Sequence, residues 1–223
     1  MSKRSKKRGL CIVLEGVDGC GKGKQLEMLV ERLRKEYPDR EFVITEEPWK
    51  QTESGRKIKR IMKDEEPVPR PIVLQRLYVD NRYEHWGLEI APAIAEGKIV
   101  ICDRERLSTY AYGRTFGVPL DTIIGWHGNL TMPDLFLYFR VSAATTVSRI
   151  DGRGETQQYF EQEQKVARII SAYNKEIALN TLPNVVTIDG EKKPGPVHDQ
   201  VWAHVQQLIQ EERRCKDETA TPK

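Results

Sequence analysis

Five short apolar runs, rich in β-branched residues, punctuate the chain: Leu10–Leu14, Phe42–Thr45, Ile99–Cys102, Leu135–Phe139 and Val185–Ile188. They are continuous rather than alternating, the pattern of strands buried on both faces. Between the first two, Leu26, Leu29, Val30 and Leu33 fall at i, i+3, i+4 and i+7, which is one face of a helix. Val197, Val201, Val205 and Leu208 mark a second such face near the end. Apolar strands alternating with amphipathic helices predict an α/β fold, a doubly wound parallel five-stranded sheet flanked by helices. From Lys63 to Pro71, prolines at 67, 69 and 71 cannot continue a helix and predict a loop. Glu211 to Lys223 is polar, lacks apolar periodicity and is expected to fray. The expected organisation is a basic leader (1–9), a single domain (10–212) and a polar tail (213–223).

Composition narrows the class. The 223 residues suffice for one sizeable core, and 39% hydrophobic against 31% charged residues suits a globular protein with a solvated surface. No apolar run approaches the roughly 20 residues that span a bilayer, so no membrane partner is expected. The basic stretch Met1–Arg8 lacks the apolar core of a secretory signal, which makes the cytoplasm the expected compartment. The formal charge of +3 is local: Lys3, Arg4, Lys6, Lys7 and Arg8 have no acid among them, and without them 31 basic residues face 33 acidic ones. Any affinity for nucleic acid is therefore expected in the leader and not on the fold. Cys11, Cys20, Cys102 and Cys215 show no metal-ligand spacing and read as free thiols. The four histidines show no metal spacing either, and no role is assigned to them.

Chemistry enters directly after the first strand. Gly16 to Gly23 has the Gly-x4-Gly-Lys spacing and leads into the first periodic helix. A strand, a glycine loop and a helix N-terminus in that order make a phosphate cradle, because the backbone N–H groups converge on phosphate oxygens. Gly16, Gly19, Cys20, Gly21, Lys22, Gly23 and Lys24 are its candidate nucleotide-binding residues, with Lys22 reaching the terminal phosphates. The Ser or Thr that usually follows the lysine and ligates Mg²⁺ is Gly23 here. Lys24, where adenylate-kinase-like loops usually carry Thr, is a second departure.

Four blocks in order carry a more specific likeness: Leu14 to Gln25, Thr45 to Pro48, Leu77 to Arg82, and Asp103 to Tyr112, followed by a strand at Pro133 to Tyr138. Between about Leu10 and Asp189 the sequence resembles the thymidylate kinase family of P-loop nucleoside monophosphate kinases. The resemblance implies ATP-dependent phosphorylation of a deoxynucleoside monophosphate, most often dTMP to dTDP, with ATP and Mg²⁺ required, small-molecule nucleotide substrates and a homodimer. It implies that Asp18 meets the acceptor sugar and that Tyr78 stacks on the base beside Arg82. Ser108 and Tyr112 match base- and sugar-contacting positions, and Glu47 and Pro48 the acceptor loop after strand two. Asp103, ending a strand, is placed to hold Mg²⁺ directly or through water. Arg104 is suited to clamp the acceptor phosphate through two parallel hydrogen bonds. The segment near 149–157 resembles a mobile lid, with Arg149 and Arg153 the candidate catalytic arginines, Cys20 standing in the loop where some members carry one. Glu46 replaces a family arginine and Gly113 a family glutamine. Three alternatives stay open: a kinase for another pyrimidine monophosphate, a nucleoside kinase in which Glu47 would act as base, and a nucleotide-binding protein with impaired catalysis.

Overall fold

In a computed structural model of the chain, residues 8–152 and 163–218 are described, with side chains to residue 214. Five strands form one parallel sheet: β1 (Leu10–Glu15), β2 (Phe42–Glu46), β3 (Ile99–Asp103), β4 (Leu135–Arg140) and β5 (Val185–Asp189), in the order β2-β3-β1-β4-β5. Leu10 to Leu14 lie opposite Ile99 to Asp103 on one side, and Ile12 to Glu15 opposite Leu135 to Tyr138 on the other. All six residues of β1 are buried, which requires cover on both faces of the sheet. The five expected strands are all present, and each runs one residue further than its apolar run. The added residues, Glu15, Glu46, Asp103, Arg140 and Asp189, are all charged and all lie at the carboxyl edge.

That cover comes from nine α-helices among the described residues. They are α1 (Lys22–Glu36), α2 (Glu53–Met62), α3 (Pro71–His85), α4 (Ala91–Ala95), α5 (Arg106–Thr115), α6 (Leu120–His127), α7 (Ala143–Asp151), α8 (Glu163–Ala178) and α9 (Pro194–Glu218). A π-helical turn, Trp86–Ile90, joins α3 to α4. Helix α1 packs on α9, α5 on α8, and α3 on both α2 and α5. The expected faces hold: Leu29, Leu33, Val197, Val201 and Val205 are buried in one continuous core. Pro71 opens α3 at its first position, where the missing N–H costs nothing.

The ends differ from expectation. Arg8 pairs with Asp134 at 2.7 Å and the Gly9 N–H donates to the Ile94 carbonyl at 2.7 Å, so both residues belong to the fold, and one leader charge is offset. Helix α9 continues to Glu218, beyond the last apolar residue of its stripe and into the stretch expected to fray. Cys11, Cys20 and Cys102 are buried free thiols, and the side chain of Cys215 lies outside the described residues. No described helix is long and apolar enough to cross a membrane.

Candidate active site

The loop between β1 and α1 turns through three glycines at positive φ, Gly16 (141°), Gly19 (78°) and Gly21 (99°). Two of them are fixed by crowding as well: a Cβ on Gly16 would lie 2.9 Å from the Phe139 carbonyl oxygen, and one on Gly19 2.8 Å from that of Thr146. Gly21 caps α1 without a side-chain hydrogen bond, which leaves the first-turn N–H groups for a phosphate. Lys22 is buried and curls back into the loop. Its Nζ donates to the carbonyls of Gly16 (3.0 Å) and Val17 (3.1 Å) and stands 3.8 Å from Cys20 Sγ and 4.0 Å from Asp103 Oδ1. Gly23 has open space around it, and exposed Lys24 pairs with Glu27 at 3.3 Å.

A cavity of about 320 Å³ opens on one side of this loop, lined by residues that include Asp18, Glu47, Pro48, Tyr78, Arg82, Asp103, Arg104, Ser108 and Tyr112. A second, of about 460 Å³, opens on the other and is lined by residues that include Gly19, Cys20, Gly21, Lys24, Arg149 and Lys192. Asp18 and Gly19 are neighbours in the chain yet line different cavities.

At the mouth of the first cavity, Arg104 donates to Asp18 Oδ1 at 2.7 Å and to Ser108 Oγ at 3.2 Å, with its guanidinium 5.7 Å from the centre of the Tyr112 ring. Burial alone would raise the Asp18 carboxyl, but Arg104 and Lys22 outweigh it and hold the group at about 2. The reverse holds for Arg104, where surrounding negative charge overcomes burial and raises the guanidinium above its ordinary range. Arg104 takes φ +73°, a left-handed conformation that an arginine adopts at a cost of about 1 kcal/mol or more. Asp103 beside it carries a buried Oδ1 with no hydrogen-bond partner in the structure. An uncommitted carboxylate oxygen facing Lys22 is the donor that a nucleotide-bound Mg²⁺ requires, since that ion is held chiefly by phosphates and water with one or two carboxylates. Among the described residues no group of three or more His, Cys, Asp or Glu could cage a metal.

Deeper in, Arg82 is 1% exposed and holds the floor together. It donates to Glu47 Oε2 through Nε (2.8 Å) and a terminal nitrogen (2.5 Å), to Thr109 Oγ1 (3.0 Å) and to His127 Nε2 (2.6 Å), and lies 3.1 Å from Glu105 Oε1. His127 Nδ1 is 2.7 Å from the Ile123 carbonyl, so Nδ1 donates there and Nε2 accepts from Arg82. Burial and the Arg82 charge push the imidazole down to about 3, keeping it neutral. Glu47 also meets His85 at 3.3 Å, and the Glu47–Pro48 peptide is cis.

A buried carboxylate at the end of β1 ties these parts to the loop. Glu15 accepts from the N–H groups of Glu105 (2.8 Å) and Ser108 (3.1 Å), from Ser108 Oγ (2.6 Å) and from the Tyr173 hydroxyl (3.2 Å). Burial outweighs these bonds and lifts its carboxyl to about 7.

The thymidylate kinase family model matches residues 14–201. The chain belongs to the thymidylate kinase family. A thymidylate kinase of Desulfotalea psychrophila is 34% identical over 169 residues, covering 74% of this chain and 81% of that one. A probable thymidylate kinase of Pyrococcus horikoshii is 34% identical over 166 residues (71% and 80%), and that of Caldanaerobacter subterraneus 28% identical over 208 (91% and 97%). The solved thymidylate kinase of Candida albicans superposes with a TM-score of 0.77 at 21% identity, covering 90% and 92% of the two chains, which establishes the shared fold.

Within that family frame, the structure gathers most of the expected residues around two cavities. Arg149, on α7, donates to the carbonyls of Gly190 (3.0 Å) and Cys20 (3.4 Å) beside the second cavity, and Arg153 lies outside the described residues. Ser108 lines the first cavity, but its hydroxyl is committed to Glu15. Sequence reasoning missed Glu15, Lys59, Lys63, Gln75, Thr109 and His127. Glu15 stood in the Leu14 to Gln25 block but outside the apolar run. Lys59 and Met62 reach the cavity from α2, and Lys63 from the residue that follows it. Glu46 is not loose there, since its Oε1 lies 3.7 Å from Lys59 and 3.9 Å from Lys50.

Proposed function

We infer that this protein transfers the γ-phosphoryl group of ATP to the phosphate of thymidylate. One observation carries the inference: the phosphate loop forms the wall between two cavities, so phosphates entering from opposite sides meet over Asp18, Gly19 and Lys22. The cavity beyond Gly19 suits the donor, being lined by the loop and by Lys24, Arg149 and Lys192. The cavity beyond Asp18 suits the acceptor, with Tyr78 for the base and Arg104 for the phosphate.

The acceptor phosphate is already nucleophilic, and the work left to the protein is alignment and charge neutralisation. Lys22 leaves its loop carbonyls for the transferring phosphates, and the N–H groups at the start of α1 take the donor oxygens. Arg104 binds the acceptor phosphate while Asp18 fixes the guanidinium plane. Asp103 would hold Mg²⁺, which when bound shields the charge between the phosphates. We assign the enzyme to the cytoplasm and to a homodimer; Val73 (45% exposed), Leu88 (65%) and Ile124 (40%) are apolar surface that a second copy would cover.

A compound joining adenosine and thymidine through a polyphosphate chain tests the two-cavity arrangement. It is expected to bind at least 100-fold tighter than ATP or dTMP alone, because the second contact is intramolecular. Binding no tighter than ATP would contradict the arrangement.

A further inference from the structure

Helix α3 presents three residues to the acceptor cavity, Gln75, Tyr78 and Arg82, at i, i+3 and i+7. The outer two hold their polar ends very differently. Arg82 is tied into a buried network. Gln75 is 3% exposed, yet its amide has no hydrogen-bond partner among the described residues. Gln75 lines the cavity, so its amide is open to a ligand there, and a group that enters without meeting it forfeits on the order of 1–3 kcal/mol. Its surroundings are made to measure: Gly113 on α5 lacks the Cβ that would stand 3.5 Å from Gln75 Cγ and 2.2 Å from Ile123 Cδ1. The stem of Gln75 therefore passes close to α5 at Gly113, the position where this chain departs from the family's own glutamine.

We propose that Gln75 is a specificity-determining residue that reads the edge of the acceptor base. The inference rests on the assignment of this cavity to thymidylate. A glutamine amide offers one acceptor and one donor side by side, matching the N3–H and O4 of thymine. Arg82 bears donors only, and its remaining N–H favours a carbonyl at O4 over the amino group of cytosine. Gln75 thus supplies the acceptor that Arg82 cannot, and the two together distinguish thymine from cytosine.

Calorimetric titration of dTMP, dCMP and ATP into the full chain and into Gln75→Met and Gln75→Glu tests this. Gln75→Met keeps the volume and removes the polar atoms; dTMP is expected to bind about tenfold or more weakly, with ATP affinity unchanged. Gln75→Glu keeps the acceptor for thymine N3–H but sets only acceptors against the N3 acceptor of cytosine, and is expected to move the dCMP-to-dTMP affinity ratio about tenfold toward dTMP. A dTMP affinity unaltered in Gln75→Met, or a ratio unmoved in Gln75→Glu, would overturn the role of Gln75 while leaving the cavity assignment standing. Absence of dTMP binding to the unsubstituted protein would overturn both.

Discussion

Gly23 and Arg104 show opposite relations between backbone and function. Nothing lies within 4 Å of a Cβ built at Gly23, so steric crowding does not explain the glycine. Gly23→Ser should therefore stabilise α1 by roughly 0.5 kcal/mol through helix propensity. It should also lower the Mg²⁺ concentration needed for half-maximal activity by several-fold, because a hydroxyl is added beside the phosphates. Denaturant unfolding and a Mg²⁺ titration of turnover read the two effects separately. At Arg104 the side chain is needed and the backbone is strained. Arg104→Gly is expected to lose at least 100-fold in kcat/KM for dTMP, and to be more stable than Arg104→Ala by about 1 kcal/mol. Equal stability of the two variants would show that the positive φ carries no cost.

At the scale of elements, the strands were legible and their ends were not. Five apolar runs gave five strands because the central strands β1, β3 and β4 are buried on both faces along those runs, while the edge strands β2 and β5, partly exposed, keep β-branched residues and admit Thr45 and Thr187. The same rule stops one residue short each time, at Glu15, Glu46, Asp103, Arg140 and Asp189, because these charged residues end the apolar runs at the carboxyl edge, where Glu46 and Asp103 line the first cavity. Asp103 was recoverable from its motif. Glu15 was not, since its role depends on Ser108, Glu105 and Tyr173, which are brought near it only by packing of α5 and α8. That network has a pH signature. The Glu15 carboxyl sits at about 7 in the fold against an ordinary 4.5, so its proton is held more tightly in the folded state. Its stabilising contribution is complete below 4.5 and is lost as pH rises to about 7, on the order of 3 kcal/mol in all. Glu15→Gln should flatten the stability profile across that window. A slope unchanged by the substitution would place the titration elsewhere. Helix α2 was read neither as an element nor as part of the site, for its contribution is Lys59 and Met62, with Lys63 just past its end, and they form no motif. It sits on Gly55, whose Cβ would lie 1.8 Å from the Trp49 carbonyl oxygen. Gly55→Ala should destabilise by at least 1–3 kcal/mol and raise the KM for dTMP while that for ATP stays put.

For the molecule as a whole, the sheet order decides where chemistry occurs. Strand β1 lies between β3 and β4 in the sheet, so the loop that follows it is flanked by the ends of both neighbours. Asp103 and Arg104 come from the β3 side, and Arg149 from the helix after β4. The buried hydrogen bonds of Arg82 to Glu47, Thr109 and His127 form without any ligand, and Lys22 rests on the carbonyls of its own loop. The central claim, that these parts perform phosphoryl transfer to thymidylate, is tested most directly by ADP formation with ATP, Mg²⁺ and each deoxynucleoside monophosphate or thymidine in turn, alongside Asp103→Ala. Turnover fastest with dTMP, absent with thymidine and reduced at least 100-fold in the variant is the expected result. Turnover fastest with another acceptor, or none with any acceptor while ATP still binds, would contradict it.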